Sequence, residues 1–328
     1  MEKDSRIFVA GHRGLVGSAI VRLLEARGFR NVLKATSAEL DLTDQKQVSR
    51  WFGEQKPEHI FLAAAKVGGI AANDTFPAEF IQQNLAIEMN VIHEAWKQGV
   101  ERLVFLGSSC IYPRDCPQPI REEYFLTGPL EQTNQAYALA KIAGVEMCAS
   151  YNRQYGTKFV CAMPTNLYGI GDNYDLQKSH VLPALIRKAH EAKASSAKSM
   201  TVWGSGRPRR ELMCSDDLAE ACLLLMSAEW DVVKKAMPGE RLPLLNVGTG
   251  VDVSIADLAR LVCETVGYAG ELAWDSTKPD GTPQKLLDVS RMQSLGWGSR
   301  TALPDGIRVA YADFRAREGS PAVHAGAK

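Results

Sequence analysis

The sequence predicts an α/β protein in which a doubly wound parallel sheet is joined by a smaller mixed lobe towards the C-terminal end. Three observations lead to this fold class. Short apolar runs alternate with longer amphipathic segments through the first half of the chain, and a glycine-rich turn follows the first run. After about residue 171 the alternation weakens and loop residues become more frequent. Strands that alternate with helices form parallel sheets, whose ligands bind at the carboxyl ends of the strands.

Composition limits the possible partners. The 328 residues, of which 45% are apolar, can bury a large core and form a main domain with a second lobe. Lys plus Arg and Asp plus Glu number 38 each, so no net charge favours nucleic acid or an anionic membrane. No apolar run has the length of a membrane span. We therefore expect a small-molecule partner, with neither nucleic acid nor membrane.

The start of the chain and the cysteines indicate the compartment. A charged segment leads directly into the first strand, without the apolar region of an export signal. The seven cysteines are an odd number and contain no Cys-x-x-Cys pair, which favours free thiols over disulfides or a zinc site. We expect a cytoplasmic protein without a metal.

The first predicted strand, residues 6–10, is followed by a glycine turn and a helix at residues 18–27. Gly11 allows the tight turn, Gly14 lets the backbone approach a pyrophosphate, and Gly17 allows close packing of the helix. The N-terminus of the helix supplies N–H donors to phosphates. The pattern predicts a Rossmann-like dinucleotide site, with cofactor contacts from Gly11, His12, Arg13, Gly14, Leu15, Val16 and Gly17.

The second strand favours NADP over NAD. It is predicted near residues 31–34, and no acidic residue follows it at 34–37 to hold the ribose 2′-hydroxyl of NAD. Arg13 and Lys34 suit a 2′-phosphate instead, and the alternative for both is a solvated surface charge. Asp41 suits a contact to adenine, or it starts the next turn.

Further strands and helices complete the predicted sheet. The strands are expected at residues 59–62, 102–106, 159–163 and 244–247, and long helices at residues 77–98 and 134–155. Cofactor contacts are expected where two of these strands end, at Leu106, Gly107, Ser108 and Ser109 and at Pro164, Thr165, Asn166 and Leu167.

The chain is predicted to divide into two units and a tail. Residues 1–170 form the NADP-binding domain, to which later strands return around residues 210–250. Residues 171–316 mainly form the substrate lobe, and residues 317–328, rich in Gly and Ala, form a disordered tail.

Ser108, Tyr137 and Lys141 are candidate catalytic residues. Tyr137 and Lys141 are four residues apart on one helix, so their side chains share a face. The ammonium group would lower the pKa of the phenol and make it a general acid, while Ser108 would hydrogen-bond the same substrate oxygen. Such a pair also occurs on ordinary solvated helices, but the upstream dinucleotide turn favours a nicotinamide-dependent reductase.

Several longer segments resemble the extended short-chain dehydrogenase family, and within it the enzymes that epimerise and reduce GDP-4-keto-6-deoxy-mannose. The segments are residues 10–18, 62–70, 107–113, 163–169, 179–185 and 278–283. The resemblance implies that Ser108, Tyr137 and Lys141 are the reductase residues. It implies that Cys110 is the base and His180 the acid of the epimerisation, and that Lys141 and His180 also contact NADPH.

The resemblance also implies a substrate site and an assembly. Contacts to the nucleotide sugar are expected from Lys188, Trp203, Arg210 and Asp280. Fold analogy implies a homodimer through a four-helix bundle built from the helices at residues 77–98 and 134–155.

The chemistry of this substrate agrees with a Cys and His pair. A ketone at carbon 4 acidifies the protons on carbons 3 and 5, and inversion requires one group to remove a proton and another to deliver one. Cys110 and His180 have unperturbed pKa values of about 8.5 and about 6.5, so each can exchange a proton near neutral pH. Ser108 and Tyr137 would stabilise the enolate and later assist the reduction.

Two other interpretations stay open from the sequence. A nucleotide-sugar 4-epimerase or 4,6-dehydratase of the same family would not need both Cys110 and His180. A non-enzymatic NADP-sensing or RNA-binding member of the fold would not need Ser108, Tyr137 and Lys141.

Overall fold

A computed structural model describes residues 1–176, 178–239, 241–278 and 280–318. The tail predicted to be disordered, residues 317–328, lies outside the described residues from position 319 onwards. Within these ranges, no helix combines the length and the apolar character needed to cross a membrane. The same residues contain no group of three His, Cys, Asp or Glu side chains arranged to hold a metal ion.

Strands and helices alternate along the chain. The strands are β1 (Ile7–Ala10), β2 (Val32–Leu33), β3 (His59–Leu62), β4 (Arg102–Leu106), β5 (Phe159–Pro164), β6 (Asn166–Tyr168), β7 (Ser199–Trp203), β8 (Arg209–Cys214), β9 (Leu244–Val247), β10 (Asp252–Ser254), β11 (Glu271–Asp275) and β12 (Gln284–Lys285). The helices are α1 (Leu15–Ala26), α2 (Gln45–Gln55), α3 (Ile70–Thr75), α4 (Pro77–Lys97), α5 (Gln135–Tyr155), α6 (Val181–Ala194), α7 (Ser215–Ser227), α8 (Trp230–Ala236), α9 (Ile255–Val266), α10 (Ser290–Ser294) and α11 (Leu303–Arg317). Short 3-10 helices cover Ser109–Ile111, Glu122–Tyr124 and Gln132–Asn134.

The central sheet is parallel, with the strand order β2-β1-β3-β4-β5-β9. The order reverses between β1 and β3, and such a reversal opens a crevice at the carboxyl ends of the strands. Register puts Ala10 beside Leu62, and Leu62 beside Phe105, so these ends lie at one edge of the sheet. The fold class predicted from the sequence is confirmed.

Apolar layers cover both faces of this sheet. Val9 and Val104 pack with α1 and α7 on one face, whereas Phe8 and Phe105 pack with α2, α4 and α5 on the other. Successive residues of a strand point to opposite faces, so a strand covered on both sides has an uninterrupted apolar sequence. This explains why β3 and β4 have the bounds predicted from their apolar runs.

A smaller lobe is built around β8. This strand pairs in parallel with β6 and β12 and antiparallel with β10, while β7 and β11 form a separate parallel pair. Helices α6, α9 and α11 pack together in a third apolar core. Because β9 joins the central sheet and β8 does not, the segment predicted to return around residues 210–250 contributes to both units. The boundary near residue 170 stays a prediction.

One buried carboxylate connects the lobe to the central sheet. Glu211 on β8 is 0% exposed and accepts hydrogen bonds from the backbone N–H groups of Thr249, Gly250 and Leu287 at 2.6, 2.8 and 2.9 Å. The hydroxyl of Thr165, just after β5, donates to the carbonyl oxygen of Glu211 at 3.1 Å. Burial raises the pKa of Glu211, although these hydrogen bonds partly offset the rise. Segments that are distant in sequence therefore meet at one side chain.

Candidate active site

One cleft gathers nearly all of the predicted site residues. It has a volume of about 1460 Å³ and lies at the carboxyl ends of β1, β3, β4 and β5, with the lobe forming its other side. Every residue predicted to bind the cofactor, bind the substrate or catalyse lines this cleft, except Lys188. Lys188 lies against one of the lining residues, with its Nζ 4.8 Å from the ring centroid of Trp203.

The glycine turn leaves the start of α1 open to the cleft. Gly11 has a φ of +82°, and a Cβ on Gly17 would lie 2.1 Å from the carbonyl oxygen of Gly11, so both positions require glycine. α1 begins directly after Gly14, which has no side chain to cap it, and its first turn contains no acidic residue. The N–H groups at this end and the helix dipole therefore favour an anion. The turn fits the phosphates of a dinucleotide.

Arg13 is the side chain that best fits a 2′-phosphate. It lines the cleft together with Thr36, and it has no ion-pair partner among the described residues. Lys34, by contrast, does not line the cleft and lies 3.0 Å from the carboxylate of Glu25. Of the two cations that suggested NADP, only Arg13 is placed to bind the 2′-phosphate in the cleft.

Asp41 lines the cleft, but its carboxylate is engaged locally. It accepts hydrogen bonds from the backbone N and the hydroxyl of Thr43 at 2.9 and 2.7 Å. Both bonds reach the same oxygen, Oδ1, and tie the side chain to the turn before α2, while its contact with adenine stays a prediction.

Ser108, Tyr137 and Lys141 form one wall of the cleft. β4 ends just before Ser108, whose Oγ accepts a long hydrogen bond from the backbone N of Cys110 at 3.4 Å. α5 carries the other two residues, and the Nζ of Lys141 lies 5.8 Å from the ring centroid of Tyr137. The ring of Phe80 packs edge-on against Tyr137, with the centroids 6.4 Å apart. The spacing on α5 thus brings a phenol and an ammonium group to one helix face.

Glu88 was not among the predicted site residues, yet it is the ion-pair partner of Lys141. It lies on α4, is 1% exposed, and its Oε1 is 3.1 Å from the Nζ of Lys141. The same Nζ donates to the carbonyl oxygen of Leu106 at 3.0 Å. Burial raises the pKa of Glu88, and Lys141 lowers it. No sequence signal pairs the two residues, because only the packing of α4 on α5 brings them together.

The structure corrects the expected pKa of Tyr137. Burial raises this pKa well above its usual value, and the negative charges that Cys110 and Glu88 can carry add to the rise. The charge of Lys141 does not offset this rise, since its ammonium group is bound to Glu88 and Leu106. Tyr137 therefore keeps its proton at neutral pH, which suits a proton donor.

Cys110 and His180 line the same cleft, together with Lys285, a cation missed by the sequence analysis. Burial raises the pKa of Cys110, and the desolvation of the cleft lowers that of His180. The charge of Lys285 lowers both pKa values, so its ammonium group acts on both. Burial also lowers the pKa of Lys285 itself. A signal was available, since Lys285 follows the segment 278–283 that supported the family resemblance.

These directions give the resting forms of the pair. A raised pKa makes Cys110 a thiol at neutral pH, and a lowered pKa makes His180 a neutral imidazole. The two groups thus hold one transferable proton between them, and either can take or give it. Cys110 becomes a base only after losing this proton, and the charge of Lys285 stabilises the resulting thiolate.

The lobe side of the cleft presents exposed side chains. Trp203 is 56% exposed, and the Nζ atoms of Lys188 and Lys278 lie 4.8 and 5.4 Å from its ring centroid. Arg210 on β8 lines the cleft, and burial lowers its pKa. An aromatic ring with two cations over it, and a third cation lining the same cleft, can bind a base and its phosphates.

Asp280 is held by the protein itself. Its carboxylate accepts hydrogen bonds from the backbone N and the hydroxyl of Ser205 at 2.6 and 2.7 Å. These bonds lower the pKa of Asp280 and keep it ionised. The residue supports the turn after β7, and its contact with the substrate stays a prediction.

Comparison with known proteins gives relatives of nearly full length. The model of the NAD dependent epimerase/dehydratase family matches residues 7–236. A putative GDP-L-fucose synthase 2 of Arabidopsis thaliana is 54% identical over 311 residues, covering 95% of this chain and 92% of the relative. The GDP-L-fucose synthase of Escherichia coli K12 is 50% identical over 310 residues, covering 94% and 96%. A solved structure of GDP-mannoheptose C4 reductase from Campylobacter jejuni with NADP bound is 39% identical, with a TM-score of 0.87 and coverage of 96% and 99%.

Proposed function

The chain belongs to the NAD dependent epimerase/dehydratase family, and we propose that it makes GDP-L-fucose from GDP-4-keto-6-deoxy-D-mannose. It epimerises carbons 3 and 5 and then reduces the 4-keto group with NADPH. The predicted family resemblance is confirmed by this membership, and relatives named GDP-L-fucose synthase favour the epimerase-reductase over the 4-epimerase and 4,6-dehydratase alternatives.

The observation that carries the proposal is a cleft with two sets of proton-transfer groups. Ser108, Tyr137 and Lys141 serve a reduction, whereas Cys110 and His180 have no use in a simple reductase. A double inversion beside a ketone requires such a second pair. The non-enzymatic alternative would need neither set.

The cofactor is NADPH, which supplies a hydride to carbon 4 when it is bound. The open N-terminus of α1 would hold its diphosphate, and Arg13 would hold its 2′-phosphate. The cofactor contacts predicted at residues 106–109 and 164–167 remain part of the proposal, and they are supported by the position of these residues on the cleft wall.

The residues of the chain divide the epimerisation between them. The proton of the Cys110 thiol first passes to the imidazole of His180, and the resulting thiolate and imidazolium then exchange protons with carbons 3 and 5, with Cys110 as the base and His180 as the acid. Lys285 stabilises the thiolate of Cys110, since its charge lowers that pKa. Ser108 and Tyr137 donate hydrogen bonds to the oxygen on carbon 4, where the negative charge of the enolate collects.

The reduction uses the same oxygen. Tyr137 gives its phenolic proton to the oxygen on carbon 4 while Ser108 keeps its hydrogen bond. Lys141, held at 3.0 Å from the carbonyl oxygen of Leu106, stabilises the phenolate that Tyr137 leaves behind. On the lobe side, Arg210, Lys188 and Trp203 hold the GDP part of the substrate.

The decisive experiment combines NADPH oxidation with product analysis. We expect the purified protein to oxidise NADPH with GDP-4-keto-6-deoxy-D-mannose and to yield GDP-L-fucose, identified by NMR. Cys110→Ser should fail to complete both inversions while its reductase residues remain intact. If the wild-type protein oxidises no NADPH with this substrate, the assigned substrate is wrong. If Cys110→Ser makes GDP-L-fucose at the wild-type rate, the role of Cys110 is wrong.

We further propose that the protein is a cytoplasmic homodimer. Leu85 and Met89 on α4 and Leu139 on α5 are 37%, 55% and 41% exposed, which gives the two packed helices an outward apolar strip. A second copy would cover it and form a four-helix bundle. Sedimentation should show a dimer that Met89→Glu converts to a monomer. Val309→Glu, at a 42% exposed helix position elsewhere, should leave the dimer intact.

A further inference from the structure

We propose that Glu88 is a positioning residue of the reductase, which fixes the place and the positive charge of Lys141. This inference rests on the proposed function, because it assigns a task within the same reduction. Glu88 does not line the cleft and acts only through its partner. It therefore determines how well Lys141 supports the proton transfer from Tyr137, without touching the substrate.

Lys141 is the one charged partner of Glu88 among the described residues. The Oε1 of Glu88 lies 3.1 Å from the Nζ of Lys141, with side-chain exposures of 1% and 2%. Among the described residues, the Glu88 carboxylate has no other ion-pair partner, and neither of its oxygens accepts a well-directed hydrogen bond. Lys141 has one more acceptor, the carbonyl oxygen of Leu106 at 3.0 Å. The ammonium group is thus held inside the protein by one hydrogen bond to the backbone and by the ion pair with Glu88.

The surroundings are shaped to hold this carboxylate. A Cβ on Gly144, in the middle of α5, would lie 2.9 Å from the Oε2 of Glu88 and 2.5 Å from the ring of Phe105. Glycine inside a helix is less favourable than alanine, so leaving this space open lowers the stability of the helix. The ring of Phe105 lies 4.6 Å from the Nζ of Lys141 and excludes water from that side. The space at Gly144 is filled by the acid and the aromatic ring together.

Charge explains why the acid is needed. A buried ammonium group opposed only by a carbonyl dipole loses its proton at lower pH than one that faces a carboxylate. The other titratable groups around Glu88 are Tyr137 on α5 and the buried thiol of Cys161 on β5, whose pKa values it raises. Neither of these groups can replace a negative charge at neutral pH. Glu88 therefore sets a negative charge beside the ammonium group of Lys141 and helps to keep Tyr137 protonated before the reaction.

The test compares two buried acids on the same helix. Glu88→Gln keeps the size of the side chain and removes its charge, and Glu94→Gln is the matched control. Glu94 is also 2% exposed on α4, but its partner is the half-exposed Lys97 at 3.1 Å, and neither residue lines the cleft. We expect Glu88→Gln to reduce the single-turnover rate of keto-sugar reduction about 10- to 100-fold, because misplaced catalytic groups cost factors of this size. Glu94→Gln should stay within about twofold.

Two further measurements separate positioning from simple loss of stability. The alkaline limb of the pH–rate profile should move to lower pH in Glu88→Gln and stay unchanged in Glu94→Gln. The change in melting temperature caused by Glu88→Gln should have opposite signs in the wild-type protein and in a Lys141→Met background. Glu88→Gln should lower the melting temperature of the wild-type protein by about 5 °C, since it breaks a buried ion pair. In a Lys141→Met background the same change should raise it, because there it removes an unpaired buried charge.

The outcomes distinguish this inference from the proposed function. A wild-type protein that reduces no keto sugar contradicts the function, while the sign reversal in unfolding would still establish the pairing. A normal reduction rate and pH profile in a folded Glu88→Gln variant would overturn the inference and leave the function intact. Equal effects of Glu88→Gln in the wild-type and Lys141→Met backgrounds would show that the acid does not act through Lys141.

Discussion

The two sides of the cleft hold their polar side chains in different ways. On the central-sheet side, Lys141 is 1% exposed and is fixed by the carbonyl oxygen of Leu106 and the carboxylate of Glu88. On the lobe side, Trp203 is 56% exposed, and Arg210 has no acidic partner within hydrogen-bond distance among the described residues.

This difference follows from the tasks of the two sides. A group that transfers protons must have its position and protonation set before the substrate arrives, which requires partners within the protein. A group that binds a charged nucleotide can leave its charge for the ligand to neutralise. Variants on the central-sheet side should therefore change the rate of the chemical steps, and variants on the lobe side should change substrate affinity.

The largest effect is expected at Tyr137. Tyr137→Phe removes the proton donor and keeps the ring that packs on Phe80, so the reduction rate should fall about 100- to 10,000-fold. NADPH affinity, measured by fluorescence titration, should change little. A variant with weaker substrate binding and a normal rate of reduction would break the distinction between the two sides.

The second effect is expected on the lobe side. Arg210→Met should raise KM for the GDP-sugar about 10- to 100-fold with little change in kcat, because it removes the charge-assisted contact proposed for the diphosphate. Arg209→Met is the neighbouring control, since Arg209 is bound to Asp252 at 2.7 Å and does not line the cleft. Steady-state kinetics of both variants would test this, and a fall in kcat for Arg210→Met would contradict it.

A third prediction concerns Lys285, which belongs to the lobe sheet but acts on Cys110 and His180. The pH profile of proton exchange at carbons 3 and 5 should be bell-shaped. It falls at low pH, when His180 takes up a second proton for the pair, and at high pH, when Cys110 gives up the one proton that the pair shares. A cation lowers both pKa values, so Lys285→Met should raise both and move both limbs to higher pH by about one unit.

Deuterium incorporation from solvent, followed by NMR, measures this shift. Lys278→Met is the control, because Lys278 lies over Trp203 and contributes to neither pKa. Limbs that stay in place in Lys285→Met would show that the epimerisation pair is tuned without help from the lobe.

The smallest effect is expected at Ser205. Ser205→Ala removes the hydroxyl that donates to Asp280 at 2.7 Å but keeps the backbone bond at 2.6 Å. KM for the GDP-sugar should rise about 2- to 5-fold, as expected for one exposed hydrogen bond that orders a loop. A change in kcat of the same size would mean that this turn also contributes to the chemical step.

The central sheet was the part of the fold most accessible from the sequence. β3 and β4 have the predicted bounds because parallel strands that are buried on both faces have continuous apolar sequences. The lobe was described only as mixed, since its pairing depends on contacts distant in sequence. β12 has two residues, and its place beside β8 follows from no local pattern.

The site residues also divide into those that a local sequence pattern predicts and those that only tertiary packing brings to the cleft. Tyr137 and Lys141 follow from helical spacing, and the glycine turn follows from its position after β1. Glu88 and Lys285 were missed because each reaches the site through packing between separate elements. The direction of the Tyr137 pKa was wrong for the same reason, since burial is a tertiary property that outweighs a neighbouring charge here.

The Glu211 carboxylate couples the local unfolding of backbone segments on the two sides of the cleft. Thr249 and Gly250 lie in one segment and Leu287 lies in another, yet their amide hydrogens are all held by this one side chain. When the lobe loosens from the sheet, the three amides lose their acceptor at the same moment. In native-state hydrogen exchange they should therefore share one opening free energy and one denaturant dependence, as members of a single cooperative unit.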